Sequence, residues 1–194
     1  MKNELDALMK QDGLDGLLVL GSGMHNPTMV YLTGGGHFSD AFLIKKQGED
    51  PILCVNPMER EEAAKSGYKI YTFLDFNYFD LLKQYQGDKE QAEAQLMKLF
   101  LEKAGLTEGK VSVLGNNDIS FYWPVLQVLQ KIMPEIQLIG EAEKSVLGKA
   151  RVTKERSELD RIIKMGEVTT KVVDRVAKFL QSSPVKDEVL YLGN

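Results

Sequence analysis

The sequence predicts an α/β protein in which a mixed β-sheet is covered by helices and is followed by one long helix. Three observations support this prediction. A helical pattern near the N-terminus leads into a buried strand at Gly16–Leu20, two apolar runs joined by a Gly-containing loop follow, and strands then alternate with helices as far as residue 139. Such a succession buries its apolar surface when the helices form layers on the faces of a sheet.

The composition is that of an ordinary soluble globular protein. The 194 residues can form one sizeable domain, or one domain and part of another, and 43% of them are hydrophobic. A net charge of -4 provides no basic surface, so we expect no nucleic-acid partner. We expect no membrane partner, because no apolar run approaches the roughly 20 residues that span a bilayer. The single cysteine, Cys54, excludes an internal disulfide and favours a cytoplasmic location.

The first predicted helix is followed by a predicted strand. Apolar residues recur at helical spacing across residues 3–10, and Gly13 ends that helix. The apolar run Gly16–Leu20 is bounded by glycines, which is typical of a strand that is buried on both faces. The next residues, Gly21–Asn26, have only part of the glycine pattern of dinucleotide sites, because Asn26 replaces the third glycine. A tight turn is therefore favoured over a nucleotide site.

A β-hairpin is the clearest local prediction. Two apolar runs, 41–44 and 51–55, are joined by a polar loop that contains Gly48. The apolar segment 30–32 and three glycines precede this hairpin, and a helix is predicted to begin near Glu59. The later elements alternate: a strand at 68–73, helices at 77–86 and 88–104, a strand at 110–114, a helix from Asn117 or Asp118 to Met133, and a strand at 136–139.

The C-terminal part of the sequence predicts a long amphipathic helix from about Thr153 to Gln181. Its apolar residues fall mostly on one helical face: Leu159, Ile162, Ile163, Gly166, Val173, Val176 and Leu180. A helix of this length often bridges two domains, and its apolar face needs a partner. We therefore expect the protein to self-associate through this helix.

Two sequence motifs together resemble one known family. The first is Tyr31-Leu-Thr-Gly34, followed by the hairpin and then by a helix start with Pro57, Glu59, Arg60 and Ala63. The second is Arg151-x-x-Lys154-x-x-x-Glu158-Leu159-x-x-Ile162. Both resemble the creatinase/prolidase/Xaa-Pro aminopeptidase family, in which the second motif opens the first helix of the metallopeptidase domain. The resemblance extends over about residues 14–177.

The resemblance implies the fold and the domain organisation more specifically. It implies a three-layer α/β/α N-terminal domain with a mostly six-stranded mixed sheet, at residues 1–150. Residues 151–194 would be the linker and the first helix of a truncated catalytic domain. The family's metal ligands lie downstream of that helix, and the two histidines of this chain, His25 and His37, both precede it. We therefore expect no catalytic and no metal-binding residue in this chain.

The resemblance also implies a function. The chain is expected to be the accessory domain of a Xaa-Pro aminopeptidase or prolidase-like hydrolase, shaping substrate access and oligomerisation. A divalent metal (Mn, Co or Zn) is expected in the missing catalytic domain, proline-containing peptides as substrates, and a homodimer as the assembly. A non-catalytic peptide- or protein-binding module of the same fold, which resembles the N-domain of a histone chaperone subunit, remains the main alternative. A nucleotide-binding enzyme would rest on the incomplete glycine turn alone.

The candidate contact residues for substrate or partner are His37, Phe38 and Asp40. They follow three glycines, which permit unusual backbone angles and the close approach of a ligand. Histidine titrates near neutral pH. In the resembled family, loops of this domain help to close the active site, often that of the neighbouring subunit. The alternative is an ordinary surface loop before a strand.

Other residues have structural interpretations. Cys54 lies in an apolar strand, so a buried and inert thiol is expected. Phe121, Tyr122 and Trp123 are expected to be core or interface aromatics rather than a stacking platform. The acidic residues of Glu59–Glu62 are expected to be a solvated helix start, where negative charge suits the helix dipole.

Overall fold

The computed structural model describes residues 4–141 and 145–191, and the chain divides into two compact units, residues 1–150 and 151–194. The elements of the first unit are α1 (Leu5–Gln11), β1 (Gly16–Leu20), α2 (Pro27–Thr33), β2 (Ala41–Lys46), β3 (Ile52–Val55), a 3₁₀ helix (Pro57–Glu59), α3 (Arg60–Ala64), β4 (Lys69–Thr72), a second 3₁₀ helix (Phe73–Phe76), α4 (Tyr78–Gln84), α5 (Lys89–Lys103), β5 (Gly109–Gly115), α6 (Ile119–Ile132), β6 (Ile136–Gly140) and α7 (Val146–Ala150). The second unit contains α8 (Arg156–Ser182), β7 (Val185–Lys186) and β8 (Val189–Leu190).

The first unit is built on one six-stranded mixed sheet with the strand order β4-β3-β2-β1-β5-β6. Strand β2 is antiparallel to both of its neighbours, whereas the pairs β3–β4, β1–β5 and β5–β6 are parallel. Five strands therefore run in one direction, and their carboxyl ends meet at the same edge of the sheet, which we term the carboxyl edge. This topology confirms the predicted mixed α/β sheet.

Helices cover both faces of this sheet, because side chains alternate along each strand. On one face, Leu18 and Phe42 belong to a buried cluster that includes Phe100 of α5 and Val125 of α6. On the other face, the cluster contains Leu17, Val19 and Leu43 together with residues of α1, α2 and α7: Leu5, Met9, Met29, Leu32, Val146, Leu147 and Ala150. The two clusters give the three layers that the family resemblance implied.

Helix α2 is a difference from the sequence prediction, which gave only an apolar segment at residues 30–32. The helix is capped by Asn26, whose side chain accepts a hydrogen bond from Met29 N at 3.3 Å. Asn26 Nδ2 also donates to Leu20 O at 2.9 Å, and the residue is 1% exposed. Pro27 occupies the first helical turn, where its missing N–H costs nothing. A buried asparagine thus starts a helix that is too short to show periodicity.

A buried lysine ties α1 to the β2–β3 hairpin. Lys45 is 0% exposed, and its Nζ donates to Asp6 Oδ1 at 2.6 Å. Nζ also donates to the carbonyls of Lys46, at 3.0 Å, and Glu49. Burial raises the pKa of Asp6, but hydrogen bonds from Lys45 and the Gly48 N–H outweigh this effect and hold the pKa below its ordinary value. The hairpin turn is therefore closed around a charged pair.

The edge strand β6 is met by a side chain from α6. Gln130 Oε1 accepts from Leu138 N at 2.9 Å, and Gln130 Nε2 donates to Ile136 O. These two backbone groups belong to alternate residues of the strand and face away from β5. The glutamine amide therefore pairs with β6 in the way that a neighbouring strand would.

The second unit consists mainly of α8, a helix of 27 residues. Glu158 Oε2 accepts from Glu155 N at 2.9 Å, which closes the first turn of the helix. The helix begins three residues later than the predicted start at Thr153. Its apolar side chains are exposed, including Leu159, Ile162, Ile163, Val173, Val176 and Leu180. The predicted long helix is thus confirmed.

Candidate functional site

Four loops converge at the carboxyl edge, where open α/β sheets usually bind ligands. They follow β1, β3 and β5, or precede β2. Three hydrogen bonds join them: Gly23 N to Phe38 O at 2.8 Å, Ser39 N to Glu59 Oε1 at 2.9 Å, and Asn116 Nδ2 to the carbonyl of His25 at 3.1 Å. The loop that precedes β2, residues 34–40, carries all three of the candidate residues predicted from sequence.

Phe38 anchors this loop in the core. Its side chain is 2% exposed and belongs to the cluster that includes α1 and α2. Two glycines pack against its ring. A Cβ atom on Gly23 would lie 2.5 Å from the ring, and one on Gly36 would lie 2.6 Å from it. The glycines therefore provide space for Phe38, and Phe38 determines how the loop sits on the protein.

His37 is exposed beside this anchor. Its backbone N–H donates to Glu62 Oε1 at 3.2 Å, and the neighbouring Ser39 donates from Oγ to Glu59 Oε1 at 2.8 Å. Hydrogen bonds from Lys65 and from the His37 N–H hold the pKa of Glu62 below its ordinary value. The acidic start of α3 was expected only to be solvated. The structure shows that two of its carboxylates also hold the loop.

Asp40 is part of a group that we term the acid–tyrosine cluster: Asp40, Tyr78, Glu93 and Tyr122. The hydroxyl of Tyr122 donates to Asp40 Oδ1 at 3.0 Å. Glu93 shares a hydrogen bond with the Tyr78 hydroxyl. Glu93 and Tyr122 are 7% and 6% exposed. The cluster joins the end of the loop to α4, α5 and α6.

The electrostatics of this cluster are set by burial. Burial raises the pKa of Glu93 to about 7, the Tyr78 hydrogen bond partly opposes this rise, and the charge of Asp40 adds to it. Burial also raises the pKa of Asp40, and the charge of Glu59 acts in the same direction. The Asp40 residue as a whole is nevertheless more exposed than Glu93, so water screens the charge of Asp40 more effectively. Of the two carboxyl groups in the cluster, Glu93 is therefore the one whose pKa is affected more strongly by burial.

The sequence profile of the creatinase/prolidase N-terminal domain family matches residues 2–140. The chain belongs to this family. The match covers most of the chain, and it confirms the family resemblance that the two sequence motifs predicted. No curated protein sequence matches the chain.

Two solved structures share the fold of this creatinase/prolidase N-terminal domain. A dipeptidase from Pyrococcus horikoshii OT3 superposes with a TM-score of 0.59 at 15% identity, over 94% of this chain and 46% of that one. An X-Pro aminopeptidase from Thermotoga maritima MSB8 superposes with a TM-score of 0.53 at 11% identity, over 82% of this chain and 38% of that one. The chain thus spans less than half the length of either protein.

The family implies a divalent metal, and the described residues of this N-terminal domain do not fit one. Within residues 4–141 and 145–191, no group of three or more His, Cys, Asp or Glu side chains could hold a metal ion.

In the same part of the chain, no helix is both long enough and apolar enough to cross a bilayer.

Cys54 is buried in the N-terminal domain, whereas the aromatic residues 121–123 differ in their exposure. Cys54 is 0% exposed, and burial raises the pKa of its thiol, so the prediction of an inert buried cysteine is confirmed. Tyr122 is in the core, and Phe121 packs edge-on against it with ring centroids 5.0 Å apart. Trp123 is 58% exposed and lines an open groove with Ile119, Leu126 and Leu138. The Trp123 side chain is therefore not part of the core.

Sequence reasoning missed Glu93 and Tyr78. A signal for Glu93 was present, because it precedes Leu96, Met97 and Phe100 at helical spacings of three, four and seven residues, and all three are buried. A charged residue on the apolar face of a predicted helix must find a polar partner or change its protonation state. Tyr78 had no comparable signal, because aromatic residues are ordinary on such faces.

Proposed function

We propose that this chain is the N-terminal accessory domain of a Xaa-Pro aminopeptidase or prolidase-like metallopeptidase. It shapes the access of proline-containing peptides and supports formation of a homodimer. The family membership supports the proposal, and so does the similarity of fold to a dipeptidase and an X-Pro aminopeptidase. Metal binding, by Mn, Co or Zn, and hydrolysis belong in this proposal to a separate catalytic domain. The single unpaired cysteine supports a cytoplasmic location.

The observation that carries the proposal is the anchored loop of residues 34–40. The buried Phe38 side chain fixes the loop to the core, and Glu59 and Glu62 accept hydrogen bonds from its backbone. The loop therefore presents His37 and Asp40 from a defined position rather than as a freely moving segment. In this proposal the two side chains contact the peptide or the adjoining subunit, while Phe38 acts as their support.

A paired hydrolysis assay tests the proposed function. The chain and the polypeptide encoded by the whole reading frame are each incubated with a Xaa-Pro peptide and Mn²⁺ or Co²⁺. We expect hydrolysis only by the product of the whole reading frame. Hydrolysis by neither sample would favour the non-catalytic binding module. Hydrolysis by the shorter chain would contradict the assignment of the chemistry to another domain.

We predict that His37→Ala lowers kcat/KM of the product of the whole reading frame by about tenfold, or about 1.4 kcal/mol. The side chain is exposed, so its removal should leave the thermal unfolding midpoint nearly unchanged. Steady-state kinetics with Xaa-Pro peptides measure the effect. His25→Asn is the matched control, because His25 is also exposed and asparagine tolerates its φ of +56°. Equal kinetics for wild type and His37→Ala would remove His37 from the site.

We further predict that the chain self-associates through the apolar face of α8. Ile162 and Val176 are 55% and 52% exposed, so burying the remaining half of each side chain in a helix pair is favourable by about 1 kcal/mol each. Light scattering at increasing concentration should show a dimer or larger species. Ile162→Glu combined with Val176→Glu should give a monomer, whereas the control Lys171→Glu, on the polar face, should not. A wild-type monomer at high concentration would contradict this prediction.

A further inference from the structure

The acid–tyrosine cluster connects the end of the loop that carries His37 with three helices. Asp40 is the last residue before β2, and it accepts the Tyr122 hydrogen bond from α6. Glu93 lies in α5 between the buried residues Ala92 and Ala94 and shares a hydrogen bond with Tyr78 of α4. Opening of the loop at Asp40 must therefore break a contact of this cluster.

The groups that face Glu93 are all acidic or neutral. They are Tyr78 of α4, Tyr122 of α6, Asp40 before β2, Cys54 of β3 and, beyond Cys54, Asp75 of the second 3₁₀ helix. Among the described residues, no cation contributes to the protonation equilibrium of Glu93. Ionised Glu93 is therefore a buried anion without a counterion, which is an unfavourable state in a protein interior.

We propose that the acid–tyrosine cluster is a pH-sensitive switch, which holds the Asp40 end of the loop of residues 34–40 closed while Glu93 is protonated and loosens it when Glu93 ionises. This inference goes beyond the proposed function and does not depend on it. It concerns the order of the loop in this chain, and its test requires no hydrolysis.

The switch depends on a difference in mobility between the carboxyl groups of Glu93 and Asp40. When Glu93 is protonated, the cluster carries at most the single charge of Asp40, which the Tyr122 hydroxyl satisfies. When Glu93 ionises, two negative charges share the two tyrosine hydroxyls. Glu93 is held by a helix whose neighbouring residues are buried, whereas Asp40 ends a loop that begins with three glycines. Repulsion therefore moves Asp40 toward water and away from Tyr122.

Three other contacts confine the movement to the Asp40 end of the loop. The hydrogen bonds to Glu59 and Glu62 do not involve the cluster, and the buried ring of Phe38 remains in its core. We therefore expect local opening at the Asp40 end of the loop rather than unfolding of the domain. Local opening of this kind is visible in amide hydrogen exchange.

The sign of the pH dependence follows from burial. Burial raises the pKa of Glu93 to about 7 in the closed form, from an ordinary value of 4.5. Opening admits water and lowers that pKa, so protonation favours the closed form. The stabilisation of the closed loop is complete at pH values below the open-form pKa, and it is lost as the pH rises through about 7.

Hydrogen exchange tests the switch. The protection of a peptide that covers residues 33–41 is measured at about pH 5.5 and about pH 8, and corrected for the intrinsic exchange rate. We expect wild-type protection to fall by about tenfold or more between these pH values, because Glu93 ionises in the closed form only between them. Glu93→Gln should reduce this change to less than about twofold, because glutamine does not titrate. The charge-matched control Glu108→Gln should behave as wild type.

A second variant keeps the proposal testable if Glu93→Gln folds poorly. Asp40→Asn retains an acceptor for Tyr122 and removes one charge of the cluster. We expect it to lower the apparent pKa of Glu93, measured by carbon-13 NMR of the carboxyl group, and to weaken the pH dependence of loop protection. The proposal is overturned by any of three results: Glu93 titrating near 4.5 in wild type, Glu93→Gln retaining the wild-type pH dependence, or Asp40→Asn leaving it unchanged.

Discussion

Replacing Gly115 by alanine is expected to destabilise the domain by about 4 kcal/mol. Gly115 ends β5 with φ +145°, a conformation in which other residues are strained by about 1–3 kcal/mol. A Cβ atom at this position would also lie 2.2 Å from Leu20 O. Leu20 pairs with Gly115 in the sheet, so relief of the clash must separate β1 from β5 at the centre of the fold.

Chemical denaturation monitored by circular dichroism measures this loss. Gly48→Ala is the control, because Gly48 has φ +79° and a Cβ atom there would meet no atom within 4 Å. Gly48→Ala should lower the free energy of unfolding by only about 1 kcal/mol, because it introduces backbone strain without a clash. A loss of less than 1 kcal/mol for Gly115→Ala would show that the central strands can shift, contrary to the packing described above.

Removing the carboxylate of Asp6 is expected to have the second largest effect. Asp6→Ala leaves Lys45 charged and 0% exposed, without its anion. Breaking a fully buried pair costs about 3–5 kcal/mol. We expect about 2 kcal/mol, because the Asp6 side chain is 38% exposed and two carbonyls continue to accept from Lys45 Nζ.

A double-mutant cycle distinguishes the charged pair from ordinary packing. Lys45→Met in the Asp6→Ala background should restore at least half of the lost stability, because no uncompensated charge then remains. The difference between wild type and Asp6→Ala should also disappear in acid. The pKa of Asp6 is lowered in the fold, so its stabilisation is present above the ordinary value of 3.8 and is lost as the pH falls through the folded-state pKa. Additive losses in the cycle would refute the pairing argument.

The strands of the sheet were predictable because the local sequence of each contains an apolar run next to turn residues. The prediction for β1 gave the observed bounds, and the β2–β3 hairpin lies where the Gly48 turn placed it. Asn3, where the first helix was predicted to begin, lies outside the described residues. Helix α2 was not predictable, because it has only seven residues and starts at a side-chain contact between Asn26 and a strand. The short elements α7, β7 and β8 were missed for the same reason of length.

The candidate site was only partly predictable. The glycines before His37 indicated an unusual loop, and the structure places that loop at the carboxyl edge. Burial of Phe38 could not be read from its neighbours in sequence, because its packing partners include Gly23, fifteen positions earlier. The partners of Asp40 are farther away still, since Tyr122 is 82 residues downstream. Such a cluster forms through the fold and leaves no local motif.

The contact between Gln130 and β6 has a consequence for association at high protein concentration. Exposed edge strands are templates on which further chains can add, and this addition can propagate into aggregates. Here the outward N–H of Leu138 and carbonyl of Ile136 are already paired. The carboxamide makes both bonds, whereas an ionised glutamate at this position could not donate and a lysine could not accept. At this edge of the sheet, these two backbone groups are therefore not available to a strand of a second chain.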